Sequence, residues 1–260
     1  MKKIDNGLFP FYCFDNLFSR NELVHFVSSG IHTLGFREGE DGQDVLLARE
    51  ALAQSVGFSL EQLVNPQQVH SDRIAVVGQK EAGAGAKDRD SRIPETDGLI
   101  TNEPGVCLMV MSADCVPVLL YDPVKRVIAA IHSGWRGTAA KIAGRAVEKM
   151  AEVYGSRPSD ILAGIGPSIG KCCFEVGEEV AQVFRPEFPG TDVVRDGNRP
   201  GKSYVDLWEA NRRILMASGL RKEHVEVGGL CTVCHHDDFF SYRHSGEKAG
   251  RFGAGIMLKS

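Results

Sequence analysis

No stretch of the chain approaches the roughly 18 consecutive apolar residues that a membrane-spanning helix needs, which argues against a transmembrane protein. It has no basic block either. Lys and Arg are scattered, they do not interleave with aromatics, and the formal charge is -4, so nucleic acid is not an expected partner. The opening residues MKKIDNGLFPFYCFDNLFSR lack the continuous apolar core of an export signal, because Asp5, Pro10 and Asp15 interrupt them. A cytoplasmic location is therefore expected. There the seven cysteines, an odd number, would stay reduced rather than form a disulfide framework. Internal repeats, linkers and a regular βαβ alternation are also missing. A doubly wound nucleotide fold is not expected, and 1–260 reads as one domain.

What is present is an ordinary globular composition, 43% hydrophobic and 25% charged, enough for a substantial core. Residues 44–56 carry helical spacing, with Asp44 as a possible cap and a glycine at the end. Short β-type runs follow at 73–78, 98–101, 106–111, 116–122 and 126–132. Between the first two, the polar, glycine-containing stretch 79–97 reads as an exposed loop. The turn chemistry of YDPVKR predicts that 116–122 and 126–132 form a hairpin. Residues 138–155 predict one amphipathic helix with Ile142, Ala146, Val147 and Met150 on a single face. A strand at 160–167, helices at 176–184 and 206–218, and strands in HVEVGGL, DFFSYR and FGAGIML complete the reading. Consecutive strands dominate the middle, as in a layered α+β domain.

Three polar clusters sit at the ends of apolar runs: NPQQVHSDRI with His70, MSADCVPVLLYDP with Asp114 and Cys115, and IHSGWRGTAAKIAG with His132. In the third, Gly134 and Gly137 free the backbone to approach a ligand, and Arg136 can fork onto an anion. The helix start beyond them offers unpaired N–H donors. His70, Cys115 and His132 together have the composition of a His2Cys metal site, three protein ligands with a fourth position open. Spacing alone does not select that reading over two hydrogen-bonded histidines and a buried thiol.

The segments QQVHSD, ETDGLIT, MSADCVPVLLYDP, IHSGWRGTA, GIGPSIGKCCFEVGEEV and GLCT…FFSYR…GRFG follow one another as in the bacterial YfiH family. That family is also called the laccase-domain, polyphenol oxidase or purine nucleoside phosphorylase family, and the chain resembles it from about residue 65 onward. The resemblance implies an α+β fold of mixed β-sheets packed together and flanked by helices. It implies zinc held by His70, Cys115 and His132, with copper as the alternative metal. It also implies phosphorolysis of adenosine, inosine, guanosine or methylthioadenosine, with adenosine deamination as a companion activity. The partners so implied are purine nucleosides and phosphate; no protein partner follows. Ser71 stands where the family often has Gly. Asp114 becomes a candidate for proton handling or for orienting a ligand. Arg136 and the adjacent Gly137 become candidates for holding phosphate, with Arg243 or Arg251 assisting.

Three competing readings are kept. Copper-dependent phenol oxidation suits a His2Cys site, but a multicopper laccase needs more histidines than the eight present. Cys115 with His132 as base has the makings of a cysteine hydrolase. A role in cell-wall precursor quality control is attached to the family, and no feature of the sequence selects it. The motif Cys231-Thr-Val-Cys234-His235 matches covalent haem attachment, half a zinc site and a dithiol pair. Without an export signal the haem reading loses its support, and family members need not have Cys234, His235 or His236, so the pattern reads as chance. A second metal at Cys231, Cys234 and His235 or His236 stays open, because the local ligand spacing allows it. Cys172 and Cys173, being adjacent, are expected to ligate one metal together only awkwardly.

Overall fold

The strands Val116–Asp122 and Val127–Ser133 form the predicted hairpin, in register from Val116 opposite Ser133 to Asp122 opposite Val127. Asp122 closes it by accepting the Val124 and Lys125 N–H groups. Both strands are buried along their whole length, because each face meets a different core. Val116, Val118 and Leu120 face one apolar cluster, whereas Leu119 and Tyr121 face another. That two-sided burial is why these runs are continuously apolar instead of alternating.

The protein is described here by a computed structural model covering residues 1–36 and 42–260. The hairpin lies inside a six-stranded sheet ordered Val225–Val227, Leu162–Ile165, Val116–Asp122, Val127–Ser133, Gly98–Thr101, Ile74–Val76. A second six-stranded sheet runs Lys2–Ile4, Phe11–Cys13, Leu23–Ser28, Phe252–Leu258, Cys107–Ser112, Leu63–Val64. Leu108, Val110, Ala254 and Ile256 of this sheet pack with Leu119, Tyr121, Ile128 and Ala130 of the first. The outer face of the second sheet carries Cys107, Met109 and Met257 against Ala48, Leu52 and Ala53 of the helix Gln43–Val56. The outer face of the first meets the helices Ile142–Tyr154 and Leu207–Ala217. Two mixed sheets packed together and flanked by helices are the α+β architecture expected. A small three-stranded sheet of Glu175–Gly177, Lys202–Val205 and Val194–Asp196 is hydrogen-bonded separately, and its Val176 and Val205 pack into the cluster of the first sheet. Among the described residues, no helix is long and apolar enough to cross a membrane.

Several local expectations need correction. The helix expected over 176–184 begins only at Glu178, because Glu175–Gly177 pairs as a strand with Lys202–Val205. The helix expected over 138–155 is two helices, Trp135–Ala139 and Ile142–Tyr154, separated by Lys141 in the left-handed region at φ 59°. That conformation costs about 1–3 kcal/mol. Burial of Ile142, Val147 and Met150 contributes roughly 1.5–3 kcal/mol for each side chain and outweighs it. DFFSYR forms no strand. Phe239 plugs the core between the sheets, in ring contact with Tyr12 and Phe252, and Ser241 caps the short helix Tyr242–Ser245. Asp44 does not cap its helix, because Gly42 occupies the N-cap.

Candidate metal centre and its cavity

The hairpin register places the first two candidate ligands. Cys115 immediately precedes the strand that begins at Val116, and His132 is the penultimate residue of the strand paired with it, so both lie at one end of the sheet. The neighbouring strand Gly98–Thr101 is anchored at the same end, where the His132 N–H donates to the Asp97 carbonyl at 2.7 Å. His70 arrives on the loop after Leu63–Val64. Gln68 clips that loop down, donating to the Met111 carbonyl and accepting from the Met111 N–H, each at 2.8 Å.

One ligand atom from each of His70, Cys115 and His132 lies within 4.8 Å of the others. The Cys115 Sγ is 3.8 Å from His70 Nε2, and the two imidazoles meet nearly edge-on with centroids 4.9 Å apart. Asp97, fully buried, organises the group. Its carboxylate accepts from His132 Nδ1 at 2.8 Å, from the backbone N–H groups of Val69, His70 and Ser71, and from the Ser71 hydroxyl at 2.7 Å. One carboxylate thus turns His132 so that Nε2 faces the thiol, and holds His70 at its left-handed φ of 61°. Ser71 adds a bond to Asp97 that a glycine there would not supply.

Electrostatics follows from this packing. Burial pushes the Cys115 thiol up, but adjacent His132, and then His70, outweigh it and hold the thiol at about 6. Burial likewise pushes His132 down, and the Cys115 thiolate with Asp97 raises it to about 9. Hydrogen bonds from His132 and Ser71 overcome the burial of Asp97 and keep it at about 2. A thiolate between two imidazoles is a ligand set for a borderline-soft divalent ion. Gly134 keeps the space clear, since a Cβ there would lie 2.9 Å from the Cys115 Sγ and 3.2 Å from His70 Cδ2.

The trio lines a cavity of about 440 Å³ that also contains Arg49, Arg92, Arg251, Phe36, Met111 and Tyr242. Arg49 is buried. Its guanidinium donates to the carbonyls of Leu34, Gly85 and Ala86 and stacks over Phe36. Burial, and then the nearby charge of Arg92, lower it to about 9. Arg251 holds the carbonyls of Ala249 and Gly250.

The other residues expected at the site are distributed differently. Asp114, at φ 91°, does not line the cavity. Its carboxylate accepts from the Thr232 hydroxyl and the Arg243 N–H, each at 2.6 Å. The Arg243 guanidinium donates to the carbonyls of Cys173 and Glu175. Arg136 is exposed, lies over the Trp135 ring and does not line the cavity. Gly137 is buried, and a Cβ there would sit 3.5 Å from the carbonyls of His132 and Ser71.

Sequence reasoning missed Asp97, Gln68, Arg49 and Arg92. Arg49 did carry a signal. It falls on the helical stripe Val45, Ala48, Arg49, Leu52, Ala53, where a lone charge among apolar residues marks an inward-facing cation.

Residues 25–259 match the family model described as multi-copper polyphenol oxidoreductase laccase. The chain is 41% identical over 223 residues to a protein of Bacteroides thetaiotaomicron named purine nucleoside phosphorylase, covering 85% of this chain and 82% of that one. It is 38% identical over 222 residues to adenosine deaminase RL5 from an unknown prokaryotic organism, covering 85% and 84%. The crystal structure of YlmD from Geobacillus stearothermophilus superposes with a TM-score of 0.92 at 33% identity, covering 99% and 98%.

Proposed function

The chain belongs to the multi-copper polyphenol oxidoreductase laccase family, and from that premise we propose that it is a zinc-dependent purine nucleoside phosphorylase with adenosine deaminase activity, built as one catalytic unit over 1–260. The observation that carries this reading is the meeting of His70, Cys115 and His132 in a cavity that also presents Arg49, Arg92 and Arg251. Adenosine, inosine, guanosine and methylthioadenosine are the proposed nucleosides, with phosphate as co-substrate. Relatives bearing the names of both activities support it.

His70, Cys115 and His132 would hold the ion, and the donor set fits zinc, with copper as the alternative. When bound, the ion supplies Lewis acidity at the substrate. The guanidinium groups of Arg49, Arg92 and Arg251 attract and orient phosphate, which in turn relieves the repulsion between Arg49 and Arg92. Phe36, Met111 and Tyr242 offer apolar surface for a purine ring. Asp97 is a positioning residue that fixes the tautomer of His132. Asp114 and Arg243 position the bend before Cys115, and Gly137 packs beneath the ligand strand. Arg136, outside the cavity, passes its expected phosphate role to the three cavity arginines. All seven cysteines are unpaired, which favours a reducing cytoplasmic compartment.

Release of free base from adenosine and inosine, with and without phosphate, tests this reading on wild type and Cys115→Ala, alongside metal analysis. Phosphate-dependent release that vanishes in the variant is expected. Stoichiometric copper with phenol turnover and no base release would overturn it. A second reading also has an observation in its favour, because Cys115, His132 and Asp97 are arranged like nucleophile, base and orienting acid. One zinc per chain lost from this site on Cys115→Ala excludes it, since a metal-bound thiolate is not a free nucleophile.

A further inference from the structure

Four cysteines gather at a second place in the molecule. Cys172 and Cys173 lie on the turn Gly170–Phe174, whose Cys173 and Phe174 N–H groups both donate to the Gly170 carbonyl. Cys231 and Cys234 lie on a turn joined to the Ser168 segment, where the Thr232 N–H donates to the Ser168 carbonyl. All four Sγ atoms lie within 4.8 Å of one another. Cys234 Sγ is 3.7 Å from Cys172 Sγ and 3.5 Å from Cys173 Sγ. A zinc ion with four sulfurs at about 2.3 Å has tetrahedral edges of about 3.8 Å. The thiols are already close to that spacing.

The difficulty expected of adjacent cysteines does not arise. On a strand their side chains would point to opposite faces, whereas on this turn both reach Cys234. His235 and His236, the histidines of the sequence motif, are not part of the group.

The backbone approaches the group closely at one of its sulfurs. The Gly170 N–H donates to Cys231 Sγ at 3.3 Å, an approach that needs glycine, since a Cβ there would meet Trp208 at 2.9 Å and Cys231 Cβ at 3.2 Å. Burial pushes Cys231 up, but the N–H groups of Gly170, Cys234 and Val233 and the neighbouring Cys172 thiol bring it below its ordinary value.

We propose that Cys172, Cys173, Cys231 and Cys234 bind a single divalent ion of the zinc class in a closed tetrathiolate site. Its role is to clamp two turns together beside the catalytic cavity. The Thr232 hydroxyl, between Cys231 and Cys234, holds Asp114, the residue before Cys115. The Cys173 carbonyl holds Arg243, whose N–H takes the other oxygen of Asp114. All four positions are filled by sulfur, so this ion has no open position for substrate.

The test uses full-length protein isolated anaerobically, with metal counted per chain and cobalt(II) substituted for the native ion. Wild type is expected to carry two ions. The double variant Cys172→Ser/Cys234→Ser, at exposed positions, should carry one and keep its nucleoside activity. Five thiolates then become one, so the sulfur-to-cobalt charge-transfer intensity should fall about fivefold, against about one-fifth for Cys115→Ala. Zinc-edge X-ray absorption on wild type, independent of any variant's folding, should give an average sulfur count far above one per ion. An average of one sulfur per ion or fewer in wild type, iron in place of zinc, a metal count and spectrum unchanged by the double variant, or two of the four thiols recovered as a disulfide would each overturn the proposal.

Discussion

The His70–Cys115–His132 group and the Cys172–Cys173–Cys231–Cys234 group could each hold a metal ion, yet they are built in opposite ways. The first is assembled by sheet register, from the ends of paired strands and a loop pinned by a buried carboxylate. The second is assembled by two turns, and two of its thiols are exposed. Charge separates them further. Two neutral imidazoles and one thiolate leave a divalent ion with net positive charge, which suits polarising a substrate and attracting phosphate. Four thiolates leave net negative charge and no vacant position, which suits holding chain segments together. On the proposed assignments, ligand chemistry divides the molecule into a reactive centre and a brace.

The largest effect that would sharpen this contrast is at Cys115. Cys115→Ala should abolish metal at the cavity and lower base release more than about 100-fold, read by activity and metal count together. Asp97→Asn comes next. Loss of the carboxylate that orients His132 should cost about 10–100-fold in metal affinity or turnover, read by chelator competition; a wild-type affinity would break the assignment of Asp97. Cys172→Ser/Cys234→Ser should change turnover less than about threefold while lowering the melting midpoint by about 10 °C, as expected on loss of a tightly bound native-state ligand. A collapse of activity at an unchanged midpoint would reverse the roles of the two centres.

Ser71→Gly should weaken metal binding by about threefold, the worth of one hydrogen bond. Acid is the smallest effect near neutrality and must be subtracted from the others. Burial depresses His25 to about 4, and its Nε2 accepts the Phe14 N–H. The unfolded chain therefore takes up a proton on this residue at higher pH than the folded one. Stability is complete above about pH 6.5 and is lost as pH falls towards 4, by under about 1 kcal/mol at pH 6 and about 3 kcal/mol at pH 4. Urea midpoints across that range should lose this slope in His25→Gln.

Much of the layout was legible in the sequence, and the reasons for its limits are local. The hairpin and the strand Gly98–Thr101 were readable because continuous apolar runs between turn residues admit few alternatives. The trio was legible only through family resemblance, since register, not spacing, brings residues 70, 115 and 132 together. Asp97 stayed hidden in a polar run because its partners come from distant segments. The cysteine group is not legible in the sequence, because adjacency argues against Cys172 and Cys173 sharing an ion until a turn removes that obstacle. The motif at Cys231 and Cys234 also points to His235 and His236 instead of to Cys172, 62 residues before Cys234. Phe239 resembled a strand residue because a buried anchor in a loop is as apolar as one.

The strand Phe252–Leu258 has a consequence for how the molecule comes into being. It lies between Leu23–Ser28 and Cys107–Ser112, and Gly253 donates to the Ser28 hydroxyl across a sequence separation of 225. During synthesis from the N-terminus, both flanking strands are therefore made long before the partner that joins them. They wait with unpaired edges and an uncovered apolar face until that segment leaves the ribosome. Such late closure makes folding slow and exposes the nascent chain to mispairing. Loss of these seven residues would open the sheet through its middle, instead of fraying an edge.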